Sequence, residues 1–395
     1  MTEMTMSDLL AQEHKSNPHA FYAQLRSTEP IIYVEGLDAW LLTTYEDALW
    51  LLKDPRFTKD RRKITPPEDE QKDSQGMAFA MRNMLMADPP DHTRLRSLVS
   101  KTFTPRMIEH LRPSIQQITD ELLDTVQEQG KMDLIADFAY PLPLAVISDM
   151  LGISAPDRPR FRGWTQAMVD ATTGEEQRSA VLQEFLDYIK SLLNEKRVHP
   201  GTDLTSGLVQ AEENGDQLDE NELISMLFLL IIAGHETTVN LLGNGTLALL
   251  QHPEQFHLLQ HDPTLIPGAV EELLRYTAPV SLSDERWASE DIEVHGRLIR
   301  KGQQVLAALI SANADPQHIH TGETLDITRR ENQHLSFGKG IHACLGAPLA
   351  RLEGQIAFST LLRRLPNLRL AGDPAQLGWK LNPMLRGLTS LPVTF

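Results

Sequence analysis

A single cysteine, Cys344, stands among 395 residues. No intrachain disulfide can form, and no second thiol exists for a zinc or iron–sulfur site. This usage fits a reducing compartment such as the cytoplasm. Basic charge is also scarce, with 37 Lys and Arg against 54 Asp and Glu and a net charge of −17. Nucleic acid, which needs a basic footprint, is thereby excluded as a partner. An anionic membrane surface is disfavoured for the same reason. Long apolar runs are missing too. The longest, "MLFLLIIAG" at Met226–Gly234, is about half of what spans a bilayer. The opening "MTEMTMSDLLAQEHKSNPHAFY" has no apolar core, so neither signal peptide nor membrane anchor is expected. There is no internal repeat or low-complexity tract. These absences predict a soluble, cytoplasmic protein, expected as a monomer; residues 1–395 are long enough for two or three average domains or for one large enzyme domain.

What is present reads as mostly helix. "IIYVEGLDAWLLTTY" predicts a strand pair around a Gly-Leu-Asp turn, and "EDALWLLKDPRF" a helix stopped by Pro55. "RRKITPPEDEQKDSQG", residues 61–76, has little to bury and predicts a mobile surface loop. The methionine-rich "MAFAMRNMLM" that follows suits either a core helix or a pliable ligand wall. Helical spacing continues over residues 112–130, 156–170 and 178–197. Residues 220–250 predict one helix of about 45 Å, apolar on most faces in its first half and therefore interior. Short strands are expected from Asp291, a helix after Cys344, and strands and turns in the tail from Leu368. The expected class is α+β and predominantly α, with a long central helix and small segregated sheets.

A free cysteine is usually a small buried hydrophobe. The surroundings of Cys344 in "HLSFGKGIHACLGAPLAR", His334–Arg351, argue otherwise. Gly338, Gly340 and Gly346 allow a tight loop and close approach to the backbone, and a strong helical pattern begins at Leu345. A thiol at a helix N-terminus is favoured as thiolate, which is either a nucleophile or a metal ligand. Nucleophilic catalysis would require a base, and His342 is two residues away. As a ligand, one thiolate suits haem iron best, because the porphyrin supplies the four equatorial donors.

At this point the sequence resembles the cytochrome P450 family of haem-thiolate monooxygenases, soluble bacterial type. The family loop Phe-x-x-Gly-x-His/Arg-x-Cys-x-Gly is matched by Phe337, Gly340, His342, Cys344 and Gly346. "EELLRY" places Glu272 and Arg275 at i and i+3, where the family has a buried Glu-x-x-Arg pair locked by a later arginine, here Arg329. "AGHETT", Ala233 to Thr238, matches the family's Ala-Gly-x-Asp/Glu-Thr. "HETTV" also begins like a zinc-protease helix, but Val239 stands where the second histidine is required. The resemblance runs from "FYAQLR" near residue 21 to "LPVTF" at the end of the sequence.

The resemblance implies haem b (iron protoporphyrin IX) with Cys344 as axial iron ligand and Phe337, Gly338, Gly346 and Ala233 around it. It implies that His92, Arg96, Arg286 and His342 hold the propionates, anions that need partners when buried. Glu236 and Thr237 become an acid–alcohol pair, with Thr237 donating to O2 and Glu236 relaying protons. That pair favours O2 chemistry, with NAD(P)H electrons delivered by a ferredoxin or flavodoxin and its reductase. Lys339, Arg94, Lys101, Arg106 and Arg351 are a candidate basic docking patch for an acidic partner. The implied substrate is a hydrophobic small molecule, macrolide, fatty acyl or steroid-like. Candidate pocket residues are Met84, Leu85, Leu229, Val280, Leu282, Met384 and Leu385. Alternatives are C–C cleavage, phenol coupling, peroxide-driven oxidation, or a non-catalytic haem or ligand sensor.

Overall fold

The computed structural model describes residues 4–64, 83–169, 173–213 and 215–395. Most of the expected loop at 61–76 and the first part of the methionine-rich segment lie outside the described residues. Of that loop, Arg61–Lys63 form a 3-10 turn capped by the Asp60 side chain. The architecture is predominantly helical with small segregated sheets, the α+β class expected. The chain divides into two compact units, Met1–Thr58 with Thr119–Pro141 and Thr237–Phe395, and Lys59–Ile118 with Leu142–Glu236.

The first unit holds a six-stranded mixed sheet. Its order is Met4–Thr5, Ile31–Glu35, Ala39–Leu42, Gln304–Ala307, Arg286–Ala288 and Phe57–Thr58. Strand side chains alternate between faces, and the sequence uses both. Ile31, Leu42, Val305 and Ala307 enter one buried cluster with Tyr45, Leu51, Leu52 and Ile299. Ile32, Val34, Leu41 and Leu306 enter a second with Met4, Tyr22 and Leu282. Each fully buried Leu or Ile contributes on the order of 2 kcal/mol, so a one-residue slip in register would be very costly. Ile31–Glu35 and Ala39–Leu42 pair antiparallel with Ile31 opposite Leu42, as the strand-pair reading required. The hairpin Ile292–Val294 and Arg297–Ile299 turns through His295 and Gly296, both at positive φ, the conformation a two-residue hairpin favours.

Helix Ile266–Thr277 packs against helix Ala347–Arg364 in the same unit. In the second unit, helix Glu175–Val198 buries Leu182, Phe185, Leu186, Ile189, Leu192 and Leu193, three or four residues apart. Phe185 joins Phe161, Trp164 and Tyr188 in an edge-to-face and tilted aromatic cluster. Trp164 belongs to helix Arg158–Val169, and its burial makes it core.

The expected long helix is Glu220–Gln251, 32 residues. Asp219 and Glu222 start it by exchanging side-chain and backbone hydrogen bonds of 2.9 and 2.8 Å, a reciprocal cap. It is long and apolar enough to cross a membrane, but 61% of its most apolar window is buried within the protein. That burial makes it a core helix, as its apolar first half implied.

Candidate active site

Cys344 lies in a turn between the 3-10 helix Gly340–His342 and the helix Ala347–Arg364, whose N-cap is Gly346. The expected position at the helix terminus is therefore corrected: the thiol sits two residues before the cap, in the approach turn. Its backbone N–H donates to the Phe337 carbonyl at 2.8 Å, which closes the loop into a compact ring of chain. The thiol itself is exposed. Gly340, at φ +77, sits where a Cβ would come within 2.7 Å of the Leu52 carbonyl oxygen, so only glycine seats the loop there.

The base of this loop is tied down by a buried polar network. Arg275, 0% exposed, donates to both carboxylate oxygens of Glu272 at 2.8 and 2.7 Å. Its remaining donors reach the carbonyls of Asn313 and Thr324, each at 2.8 Å, and that of Gly322. Glu272 also accepts from Asp326 N, Arg329 Nε and Asn332 Nδ2. The structure thus unites Glu272, Arg275 and Arg329. Asn313 carries the constraint onward, accepting from Leu335 N at 2.7 Å and donating to Ser336 Oγ at 2.8 Å. Ser336 in turn donates to the Leu274 carbonyl. The chain entering the cysteine loop is therefore bonded to the helix that bears the Glu-x-x-Arg pair.

Sequence reasoning missed Glu271. Its carboxylate takes a two-pronged contact from Arg351 at 2.7 and 2.8 Å and one from His334 at 3.2 Å. Arg351 lies over the Phe337 ring, 4.6 Å from its centroid. Residues before and after Cys344 are thereby clamped to one side chain. Burial pushes Glu271 up, but the hydrogen bonds from Arg351 and His334 outweigh it and hold the carboxyl down at about 2. The signal was the doubled glutamate of "EELLRY", since adjacent helix positions point in different directions. Arg351 is consequently not a free cation for docking. Arg94 is not one either, because it pairs with Glu222 and Asp216.

Of the four expected propionate partners, His92 and Arg96 lie one turn apart on helix Asp91–Thr102 in the second unit. His92 is 3% exposed, and burial, followed by the Arg96 charge, pushes its ring below the ordinary value. Lys59, buried and acting on His92 in the same sense, was not anticipated. In the first unit, Arg286 is buried in its strand and His342 is half-buried in the 3-10 turn. Along the middle of the long helix, Leu229, Ala233 and Thr237, spaced i, i+4 and i+8, are left accessible while His235, Glu236 and Thr238 are buried. Ala233 is thus an accessible small residue in an apolar stretch. In the first unit, the exposed thiol on its fixed loop suits ligation of haem iron.

The expected pocket residues divide. Val280 bridges Leu385, and both Ser281 N and Leu282 N bond the Met384 carbonyl, so the structure brings these segments together. Leu282, however, is fully buried in the second sheet cluster. Met84 is buried, and Leu85 half-buried, in the 3-10 turn Met84–Met86.

An α+β fold with one exposed thiol, a locked cysteine loop and an acid–alcohol pair on a long helix defines a haem-thiolate protein. Comparison with known proteins agrees. Residues 173–368 match the family model "Cytochrome P450". Cytochrome P450 CYP107DY1 of Priestia megaterium is 52% identical over 100% of both chains. The polyketide biosynthesis cytochrome P450 PksS of Bacillus subtilis strain 168 is 49% identical over 97% of both, and its structure superposes with a TM-score of 0.92 over 98% of each chain. The structure of myxobacterial CYP267B1 in complex with myristic acid is 46% identical, with a TM-score of 0.92 and 98% coverage of each chain. The chain belongs to the cytochrome P450 family of monooxygenases, enzymes that use haem and O2.

Proposed function

We propose that this monooxygenase inserts one atom of O2 into a C–H bond of a fatty-acyl or polyketide-type molecule, the second atom leaving as water. The exposed Cys344 thiol on its braced loop is the observation that carries the reading. Thiolate-ligated haem supplies the activation of O2. Cys344 Sγ would ligate the haem iron, and Phe337, Gly338, Gly346 and Ala233 would be its small and aromatic neighbours. His92 and Arg96 in the second unit, and Arg286 and His342 in the first, would supply donors to its propionates. Thr237 Oγ1 would donate a hydrogen bond to O2, and the Glu236 carboxyl would resupply that proton. Glu236 is 5% exposed, which keeps the relay out of bulk water.

The substrate class is supported by what two relatives' names say of them, polyketide biosynthesis for PksS and bound myristic acid for CYP267B1. The apolar patch at Val280, Met384 and Leu385 in the first unit suits such ligands, as do the apolar Leu85 and Leu229 of the second. Electrons from NAD(P)H arrive through a ferredoxin or flavodoxin and its reductase. The whole chain acts as one cytoplasmic catalytic domain. The deciding experiment is the visible spectrum of the dithionite-reduced protein under carbon monoxide. A strongly red-shifted Soret band, abolished in Cys344→Ser, is expected. Haem binding without the shift, or no haem at all, overturns the assignment. Titrating fatty acids and macrolides against the ferric spectrum then tests the substrate class, and NAD(P)H with redox partners against peroxide alone tests the electron source.

A further inference from the structure

Two buried cations in the first unit face each other without a counter-charge among the described residues. Lys15 is 6% exposed and Arg386 8% exposed, and both line a small cavity with Leu9, Tyr22, Ser281 and Pro383. The Lys15 ammonium donates to the carbonyls of Asn382 at 2.6 Å and Leu385 at 3.2 Å. Arg386 donates from Nε to the Lys15 carbonyl at 2.8 Å and from one terminal nitrogen to the Thr277 carbonyl at 3.4 Å, and it stacks on Trp379. An ammonium has three N–H donors and a guanidinium five, so among the described residues one donor on Lys15 and three on Arg386 bond no protein acceptor.

Among the described residues no carboxylate forms an ion pair with either cation. Asp8 turns instead to Thr5, and Glu13 to His14. The uncompensated charge reaches further groups. Burial, then Arg386, pushes Lys15 down to about 8. Burial, then Arg386 and Arg275, holds the neighbouring His19 ring neutral, down to about 3. A guanidinium does not deprotonate in proteins, so this charge must be met by something.

We propose that the cavity is a binding site for one halide-sized anion, chloride in the cell, held between the Lys15 ammonium and the Arg386 guanidinium. The cavity is small, and two cationic donors facing it suit one small anion. The anion offsets the buried charge and ties the N-terminal segment, through Lys15, to the Met384–Leu385 turn. This inference does not depend on haem.

The test uses the full chain. Crystals grown in about 0.3 M bromide should show an anomalous peak between Lys15 Nζ and Arg386. Water or no density there, under data that reveal bromide elsewhere, overturns the proposal. In solution, Tm should rise saturably with sodium chloride relative to sodium gluconate at equal ionic strength. Lys15→Met should lose at least about tenfold in halide affinity, as expected for removing a charged partner. An equal chloride effect in wild type and variant places the anion elsewhere and also overturns it. If Lys15→Met does not fold, the bromide map of the wild type decides.

Discussion

Glu272→Gln is the most informative single change. Oε1 of Glu272 accepts from the Arg275 terminal nitrogen and Asp326 N, and Oε2 accepts from Arg275 Nε, Arg329 Nε and Asn332 Nδ2. Glutamine keeps one of these oxygens and replaces the other with an NH2 that faces donors. Two or three hydrogen bonds are lost whichever way the amide turns. The larger effect is charge: Arg275, with no exposed surface, is left without its anion. Breaking a buried pair by removing one partner costs about 3–5 kcal/mol. Against a total stability of about 5–15 kcal/mol, that is a large fraction. For a chain of this size, m in urea should be at or above about 3 kcal/mol per M, so the midpoint should fall by about 1 M. Urea unfolding of the holoenzyme, followed by far-UV circular dichroism and by the Soret band, measures it. Haem loss should accelerate as well, because Arg275 and Asn313 brace the cysteine loop. Glu109→Gln is the matched control. Glu109 and Arg112 have the same i, i+3 spacing but side chains 62% and 48% exposed, so no resolvable shift is expected. A midpoint change below about 0.2 M in Glu272→Gln would refute the argument that burial gives this pair its weight.

Two other perturbations separate stability from chemistry. Glu353 is fully buried in the helix after Cys344, its Oε2 has no hydrogen-bond partner among the described residues, and burial pushes its carboxyl up to about 8. Between about pH 4.3, its unfolded value, and pH 8 the folded chain keeps a proton that the unfolded chain releases, so stability falls as pH rises through that window. Glu353→Gln should therefore be more stable by on the order of a few kcal/mol at pH 8 and equal near pH 4.3; parallel curves of Tm against pH would contradict this. Thr237→Ala should lower product formation by about 100-fold while NAD(P)H consumption continues and peroxide accumulates. Unchanged product yield would remove Thr237 from the proton path.

Local structure was legible because its causes are local. The paired apolar runs at Ile31–Glu35 and Ala39–Leu42 and the apolar spacing of Glu175–Val198 each lie within a few residues. The cysteine loop could be read in the same way, since glycine spacing around one thiol is a contiguous signal. Sequence alone also supported the family, through motifs at Ala233, Glu272 and Phe337 whose order along the chain is itself evidence. Its error at Cys344 was one of two or three residues, where a turn rather than the helix end holds the thiol.

Only the tertiary structure decided which of these groups matter energetically. Glu109–Arg112 and Glu272–Arg275 are indistinguishable as i, i+3 pairs, yet one is solvated and the other carries no exposed surface. Arg351 read as a docking cation until Glu271, 80 positions away, was seen to neutralise it. Leu282 read as pocket lining until the sheet buried it. Lys15 and Arg386, which contact across 371 positions, gave no signal at all. Periodicity and motif report forces that act along the chain. Burial and charge compensation depend on groups distant in sequence, and they exist only once the chain has folded.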